Sequence, residues 1–178
     1  DISSAMNLLQ QGKLPSKTVL VTFDDGYKDN LTLALPILKK YSVPATIYIT
    51  TGFINRESIL WWYEAEFIMS RTNNVRFNYQ GKDYYWLIQT SDDRQQAIEK
   101  LSKLIKVMTF NEQISVMNQL RLLINDKFDY SAEFLTWKEL QELDKEPLIT
   151  IGAHTQNHPC MRILDSQTLM EELLQSKQ

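Results

Sequence analysis

The sequence is poor in the residues that mark several classes of protein. It has one cysteine, Cys160, so an internal disulfide is excluded and the redox compartment stays open. It has no run of about 18 apolar residues, the length that a membrane-spanning helix requires. It has no basic block and a formal net charge of −3, which argues against nucleic acid and anionic membranes as partners. Only two histidines are present, His154 and His158.

The rest of the composition is that of an ordinary globular protein. Of the 178 residues, 43% are apolar and 23% are charged, which predicts a single domain with a hydrophobic core. The first residues lack the charged and then apolar pattern of a signal peptide, and the chain begins without Met. We therefore expect a processed product or an excised part of a longer protein.

The order of apolar segments predicts an α/β fold with a parallel sheet. Residues 19–23, 45–53 and 147–155 are apolar, β-rich runs typical of buried parallel strands. A helical segment over 28–41 separates the first two, and Pro36 is expected to kink or break it near Leu35.

Residues 54–134 interrupt this alternation. They alternate as a hairpin over 75–88 around Gln80 and Gly81, and they carry apolar residues at helical spacing over 57–70, 92–108 and 111–124. Asp92 is the predicted N-cap of the second of these helices. We interpret 54–134 as a mainly helical insertion within one domain that covers residues 1–178. A helix over 135–143 with Thr136 as N-cap then precedes the third strand, and a further helix begins at 165.

Four side chains with metal-binding chemistry follow two of the predicted strands. Asp24 and Asp25 come directly after the first strand, and His154 and His158 lie at and beyond the end of the third. Because sites in parallel α/β folds lie at the carboxyl ends of the strands, we expect all four to face the same opening. Two imidazoles and a carboxylate can bind a catalytic zinc ion, and a second aspartate beside the cation can accept a proton from water. The same residues could instead be turn and capping aspartates and histidines that bond loop carbonyls.

The segments TFDDGY (Thr22–Tyr27) and HTQNH (His154–His158), in this order, resemble the first two motifs of the polysaccharide deacetylases, the NodB-homology domain of the carbohydrate esterases. The resemblance extends over residues 12–54 and 135–178. It implies a partial, distorted (β/α) barrel and the hydrolysis of an acetyl group, usually the N-acetyl group of an amino sugar.

The resemblance also implies a role for each motif residue. Asp24 would be the general base, and Asp25, His154 and His158 would hold a divalent metal, usually zinc. Thr155 would support the loop through a hydrogen bond from its hydroxyl. The implied partner is an N-acetylated glycan or oligosaccharide, and the implied location is the cell envelope or the outside of the cell.

Beyond these two motifs the sequence departs from the family pattern. The later arginine–proline–tyrosine, aspartate–tryptophan and leucine–x–histidine segments cannot be seen, and no third histidine is available as the general acid. We therefore expect either a chain that is incomplete at its C-terminus or a short protein whose open sheet edge is covered in a homo-oligomer. Two alternatives remain: a non-catalytic, metal-containing module that binds glycans or is structural, and a metal amidohydrolase that acts on a smaller amide.

Overall fold

The computed structural model describes residues 1–177. Over these residues it has five strands: β1 (Val21–Phe23), β2 (Ala45–Ile49), β3 (Asn74–Tyr79), β4 (Lys82–Leu87) and β5 (Ile149–Ala153). It has eight α-helices: α1 (Ile2–Gln10), α2 (Leu35–Tyr41), α3 (Thr51–Ile54), α4 (Trp61–Met69), α5 (Ser91–Ile105), α6 (Phe110–Arg121), α7 (Trp137–Leu143) and α8 (Ser166–Gln175). A π-helical turn (Asn30–Ala34) leads into α2, and a 3-10 turn (Met161–Ile163) precedes α8.

The chain divides into two compact units. The first contains Asp1–Ser58, Ser131–His158 and the chain from Glu171 onward. The second contains Ile59–Tyr130 and Pro159–Met170.

The first unit is built on a parallel sheet of three strands in the order β1-β2-β5. The register pairs Val21 with Ala45 and Ile49 with Ala153. Strand β2 lies in the middle and is buried along most of its length, as its apolar sequence predicts. The predicted α/β fold with a parallel sheet is therefore confirmed.

Two boundaries in this unit show how local sequence and tertiary contacts compete. Pro36 lies in the first turn of α2, directly after the π-helical turn. Ala34 and Leu35 keep right-handed helical angles, so the helix changes there from π- to α-helical hydrogen bonding and a break near Leu35 is not seen. The predicted strand over 45–53 is wrong beyond Ile49, because α3 begins at Thr51. The amides of Thr51 and Gly52 donate instead to the carbonyls of Thr155 and Gln156, at 3.3 and 2.8 Å.

The second unit contains the antiparallel hairpin of β3 and β4 and the helices α4, α5 and α6. Apolar residues of these elements form one buried cluster that includes Ile68, Val75, Leu101 and Met117. The predicted N-cap at Asp92 is wrong, because Thr90 Oγ1 accepts from the Asp93 amide and the Asp93 carboxylate accepts from the Thr90 amide. No helix within residues 1–177 is long and apolar enough to cross a membrane.

Candidate metal centre

The three strands of the parallel sheet deliver polar side chains to one edge. Strand β1 ends at Phe23 and is followed by Asp24 and Asp25, while β2 ends at Ile49 and is followed by Thr50. Strand β5 ends at Ala153 and is followed by His154. Since the strands run parallel and in register, these residues meet at the carboxyl edge of the sheet.

Asp25, His154 and His158 converge at this edge. Asp25 Oδ1 lies 3.8 Å from His154 Nε2 and 3.5 Å from His158 Nε2. One ligand atom from each of the three lies within 4.8 Å of the others. Ligand atoms of a tetrahedral zinc site with bonds of about 2.1 Å lie about 3.4 Å apart, so this arrangement fits a single cation. Within residues 1–177, it is the one group of three or more such side chains that could hold a metal.

The Asp loop (residues 24–28) and the His loop (residues 154–158) are bent so that these side chains can meet. Asp25 and Gly26 have φ values of 71° and 80°, and Thr155 and His158 have values of 65° and 54°. Aspartate and glycine adopt this left-handed region readily, whereas a β-branched threonine rarely does. At Gly26 the φ of +80° favours glycine, and a Cβ atom would also lie 3.0 Å from Ile49 Cδ1, a tight contact that the Ile49 side chain would have to relieve.

Two threonine hydroxyls surround the carbonyl oxygen of His154. Thr155 Oγ1 donates to it at 2.5 Å and accepts from the amide of His158 at 3.1 Å. Thr50 Oγ1 lies 3.1 Å from the same carbonyl and 3.3 Å from Asp25 Oδ1, so its single hydrogen can serve either acceptor. Thr50 thus links the Asp loop to the His loop. Sequence reasoning missed it because ITTG (49–52) was interpreted as a continuing strand.

The Asp loop is also fastened to the segment that precedes α7. The amide of Leu135 donates to the Gly26 carbonyl at 3.0 Å, and the amide of Lys28 donates to the Glu133 carbonyl at 2.7 Å. The rings of Tyr27 and Phe134 stack with centroids 4.7 Å apart. These contacts fix the loop on the C-terminal side of Asp25.

Arg56 reinforces this region through main-chain carbonyls. Its guanidinium donates to the carbonyls of Phe53 and Ser131, both at 2.6 Å, and to that of Phe134 at 3.1 Å. A planar group with five donors suits such a cluster of acceptors. Arg56 therefore ties α3 to the segment that holds the Asp loop.

Burial lowers the pKa of His158, an effect that Asp25 and Asp24 partly oppose and His154 adds to. The neutral imidazole is thereby favoured, and this is the form that binds a metal. Asp25 is largely buried, with 13% of its side chain exposed, whereas Asp24 is exposed. Asp24 lies outside the three-residue cluster and faces solvent at its rim. The individual roles of Asp24 and Thr155 stay predictions.

Comparison with known proteins points to one family. The family model described as polysaccharide deacetylase matches residues 11–178. A Bacillus subtilis (strain 168) protein named "Putative polysaccharide deacetylase YxkH" is 58% identical over 43 residues, which are 24% of this chain and 15% of that protein. Staphylococcus aureus proteins (strains MSSA476 and MRSA252) named poly-beta-1,6-N-acetyl-D-glucosamine N-deacetylase are 43% identical over 49 residues, 28% of this chain and 17% of each protein. No solved structure matches the chain.

The aligned stretch thus spans less than one fifth of the length of these curated relatives, 15% and 17%. The family model, in contrast, covers nearly the whole chain. The chain belongs to the polysaccharide deacetylase family.

Proposed function

We propose that this protein is a metal-dependent hydrolase that removes acetyl groups, chiefly N-acetyl groups, from a carbohydrate or polysaccharide. The observation that carries the proposal is the convergence of Asp25, His154 and His158 on one point at the carboxyl edge of the parallel sheet. Family membership supports the reaction class, and the cluster supports the dependence on a metal.

Zinc suits this set of donors best. Two imidazole nitrogens and one carboxylate oxygen are a common set of protein ligands in catalytic zinc sites, which keep a further position open. When bound, the cation would supply Lewis acidity toward the acetyl carbonyl and toward water. The side chains of Asp25, His154 and His158 would hold it. The main-chain carbonyl of His154 is hydrogen-bonded within the protein, where Thr155 Oγ1 donates to it and Thr50 Oγ1 lies 3.1 Å away.

Asp24 is proposed as the general base. It is adjacent in sequence to the ligand Asp25, yet it is exposed and so can reach a water molecule in the opening. Burial lowers the pKa of His158, and the Asp24 carboxylate is among the charges that partly oppose this, so Asp24 acts electrostatically on the cluster. A carboxylate kept ionised beside a cation can accept a proton from the attacking water.

The substrate is proposed to be a polymer or oligomer of an N-acetylated amino sugar. The Staphylococcus aureus relatives are named for N-deacetylation of poly-beta-1,6-N-acetyl-D-glucosamine, a glycan of this class. If this chain acts on such a polymer, its place of action is the cell envelope or the medium outside the cell. Nucleic acid is not proposed as a partner, because the net charge is −3.

The finer architecture is proposed on the same family basis. We infer that the sheet β1-β2-β5 is part of a distorted (β/α) barrel, that residues 1–178 form one domain, and that about 54–134 are inserted into it. The two outer strands are less buried than β2, so a second copy of the chain could cover an edge in a homo-oligomer.

The proposal is tested by acetate release from N-acetylglucosamine oligomers with and without zinc. Asp24→Asn should retain the metal and lose activity, whereas His154→Ala should lose both. Asp92→Asn, which removes another exposed aspartate, is the matched control and should behave as wild type. Full activity of Asp24→Asn with metal bound would contradict the general-base role, and full activity of the metal-free protein would contradict the metal dependence.

A second candidate rests on the histidine count. The chain has only two histidines, and both belong to the cluster, so neither is free to serve as a general acid. A module that holds the metal and binds glycan without cleaving it would have these residues as well. Glycan binding with no acetate release would favour this second function over the first.

A further inference from the structure

A buried glutamate contacts the segment between the two histidines. Glu172 lies on α8, and only 7% of it is exposed. Its Oε2 atom accepts hydrogen bonds from the amides of Gln156, at 3.0 Å, and Asn157, at 2.8 Å. Its Oε1 atom accepts from Asn157 Nδ2 at 2.8 Å. One side chain therefore holds three donors of a single loop.

The three donors belong to the residues that separate the two histidines. Gln156 and Asn157 lie between His154 and His158, in a loop whose residues 155 and 158 are left-handed. Such a backbone is unfavourable for residues other than glycine and persists only where surrounding contacts enforce it. Hydrogen bonds to a carboxylate are roughly twice as strong as those between neutral groups. The three bonds from Gln156 and Asn157 to Glu172 are therefore strong contacts that help to enforce this backbone.

We propose that Glu172 is a positioning residue for the metal centre, one that sets the distance between the two imidazoles by holding the amides between them. This inference rests on the proposed function, in which His154 and His158 bind the cation. Anchoring α8 would not by itself require a carboxyl group, because an apolar side chain of similar size could fill the same space. The three donors need two acceptor oxygens, which a carboxyl group supplies: both main-chain amides point at Oε2 and Asn157 Nδ2 points at Oε1.

The first test is zinc affinity, measured by calorimetry on the whole chain. Glu172→Leu keeps a bulky side chain and removes every acceptor, and it should weaken zinc binding by about 10–100-fold, the usual cost of losing a group that orients metal ligands. Glu172→Gln keeps one oxygen for the two amides and should lose less. Glu171→Gln removes the same charge from the neighbouring, exposed position of α8 and should bind zinc as wild type does.

The second test needs no metal. Amide hydrogen exchange at Gln156 and Asn157 in the metal-free chain should become about tenfold faster in Glu172→Leu, while the amides of β2 keep their wild-type exchange. Circular dichroism establishes that each variant is folded, and Glu172→Gln supplies the result if Glu172→Leu is not.

Wild-type zinc affinity in a folded Glu172→Leu, or unchanged exchange at both amides, would overturn the inference. A wild-type chain that binds no zinc would instead overturn the proposed function. In that case the exchange measurement alone decides whether Glu172 holds the loop.

Discussion

Substituting Gly52 by alanine should move the His loop away from α3. Gly52 lies in α3, and its amide donates to the Gln156 carbonyl at 2.8 Å. A Cβ atom on residue 52 would lie 2.5 Å from that carbonyl oxygen and 2.9 Å from Ser58 Cβ. The close neighbour is main chain, so it cannot rotate away, and the loop must shift by at least about 0.5 Å to restore a separation of 3.0 Å.

The stability change combines two opposing effects. Overpacking of this kind costs about 1–3 kcal/mol. Replacing glycine by alanine within a helix returns about 0.5–1 kcal/mol. Since the clash is with main chain, we take the upper part of the first range and expect Gly52→Ala to lower the free energy of unfolding by about 1–2 kcal/mol. The displaced loop carries both imidazoles, so zinc affinity should fall by at least about tenfold.

Urea unfolding and calorimetry with zinc measure the two effects. Gly81→Ala is the control, because its φ of +76° makes alanine unfavourable while no atom lies within 4 Å of the added Cβ. It should lose about 1 kcal/mol from backbone strain and keep its zinc affinity. Gly52→Ala with wild-type stability and wild-type zinc affinity would refute the close packing of α3 against the His loop.

Two further predictions concern the residues that hold the site in place. The Lys28 ammonium, more than any other group, holds the pKa of Glu139 below its usual value, so this ion pair adds stability above the unfolded pKa of about 4.3 and loses it as the pH falls through the lower folded value. In urea unfolding at pH 7, Glu139→Gln should therefore be less stable than wild type, and the difference should vanish in acid; a difference that grows in acid would contradict this sign. Thr155→Val removes the hydroxyl that accepts from the His158 amide and should cost about 1–3 kcal/mol, whereas Thr155→Ser should cost less; equal loss in both variants would show that the hydroxyl is not the cause.

The sequence was sufficient to predict where the candidate site lies. Apolar, β-rich runs predicted the parallel strands, and charged or imidazole side chains directly after two of them predicted a shared edge. These are local signals, because the apolar run that predicts a strand and the residue that follows the strand lie within about ten positions of each other. The N-cap at Thr136 was predicted correctly for the same reason, from Thr136 and its neighbours alone.

The supports of the site could not be predicted in this way. Thr50, Arg56 and Glu172 are polar residues with no periodicity to distinguish them, and their contacts span 25, 75 and 16 positions of the chain. Two consecutive threonines favour a strand on propensity, yet Thr51 begins a helix because tertiary hydrogen bonds to the His loop override that preference. The burial of Glu172 likewise arises from the packing of α8 against the His loop, which no local pattern in the sequence indicates.

The central claim is that Asp25, His154 and His158 hold one divalent cation, and zinc titration calorimetry of the wild-type chain and of Asp25→Asn tests it most directly. Asparagine also tolerates the left-handed φ of 71° at this position, so the variant should stay folded and lose only the charged ligand oxygen. Asp29→Asn, which removes an exposed aspartate four residues later, is the matched control. We predict one zinc ion per chain for wild type and for Asp29→Asn, with a large loss of affinity in Asp25→Asn. A wild-type chain that binds no zinc, or an Asp25→Asn variant that binds it equally well, would contradict the claim.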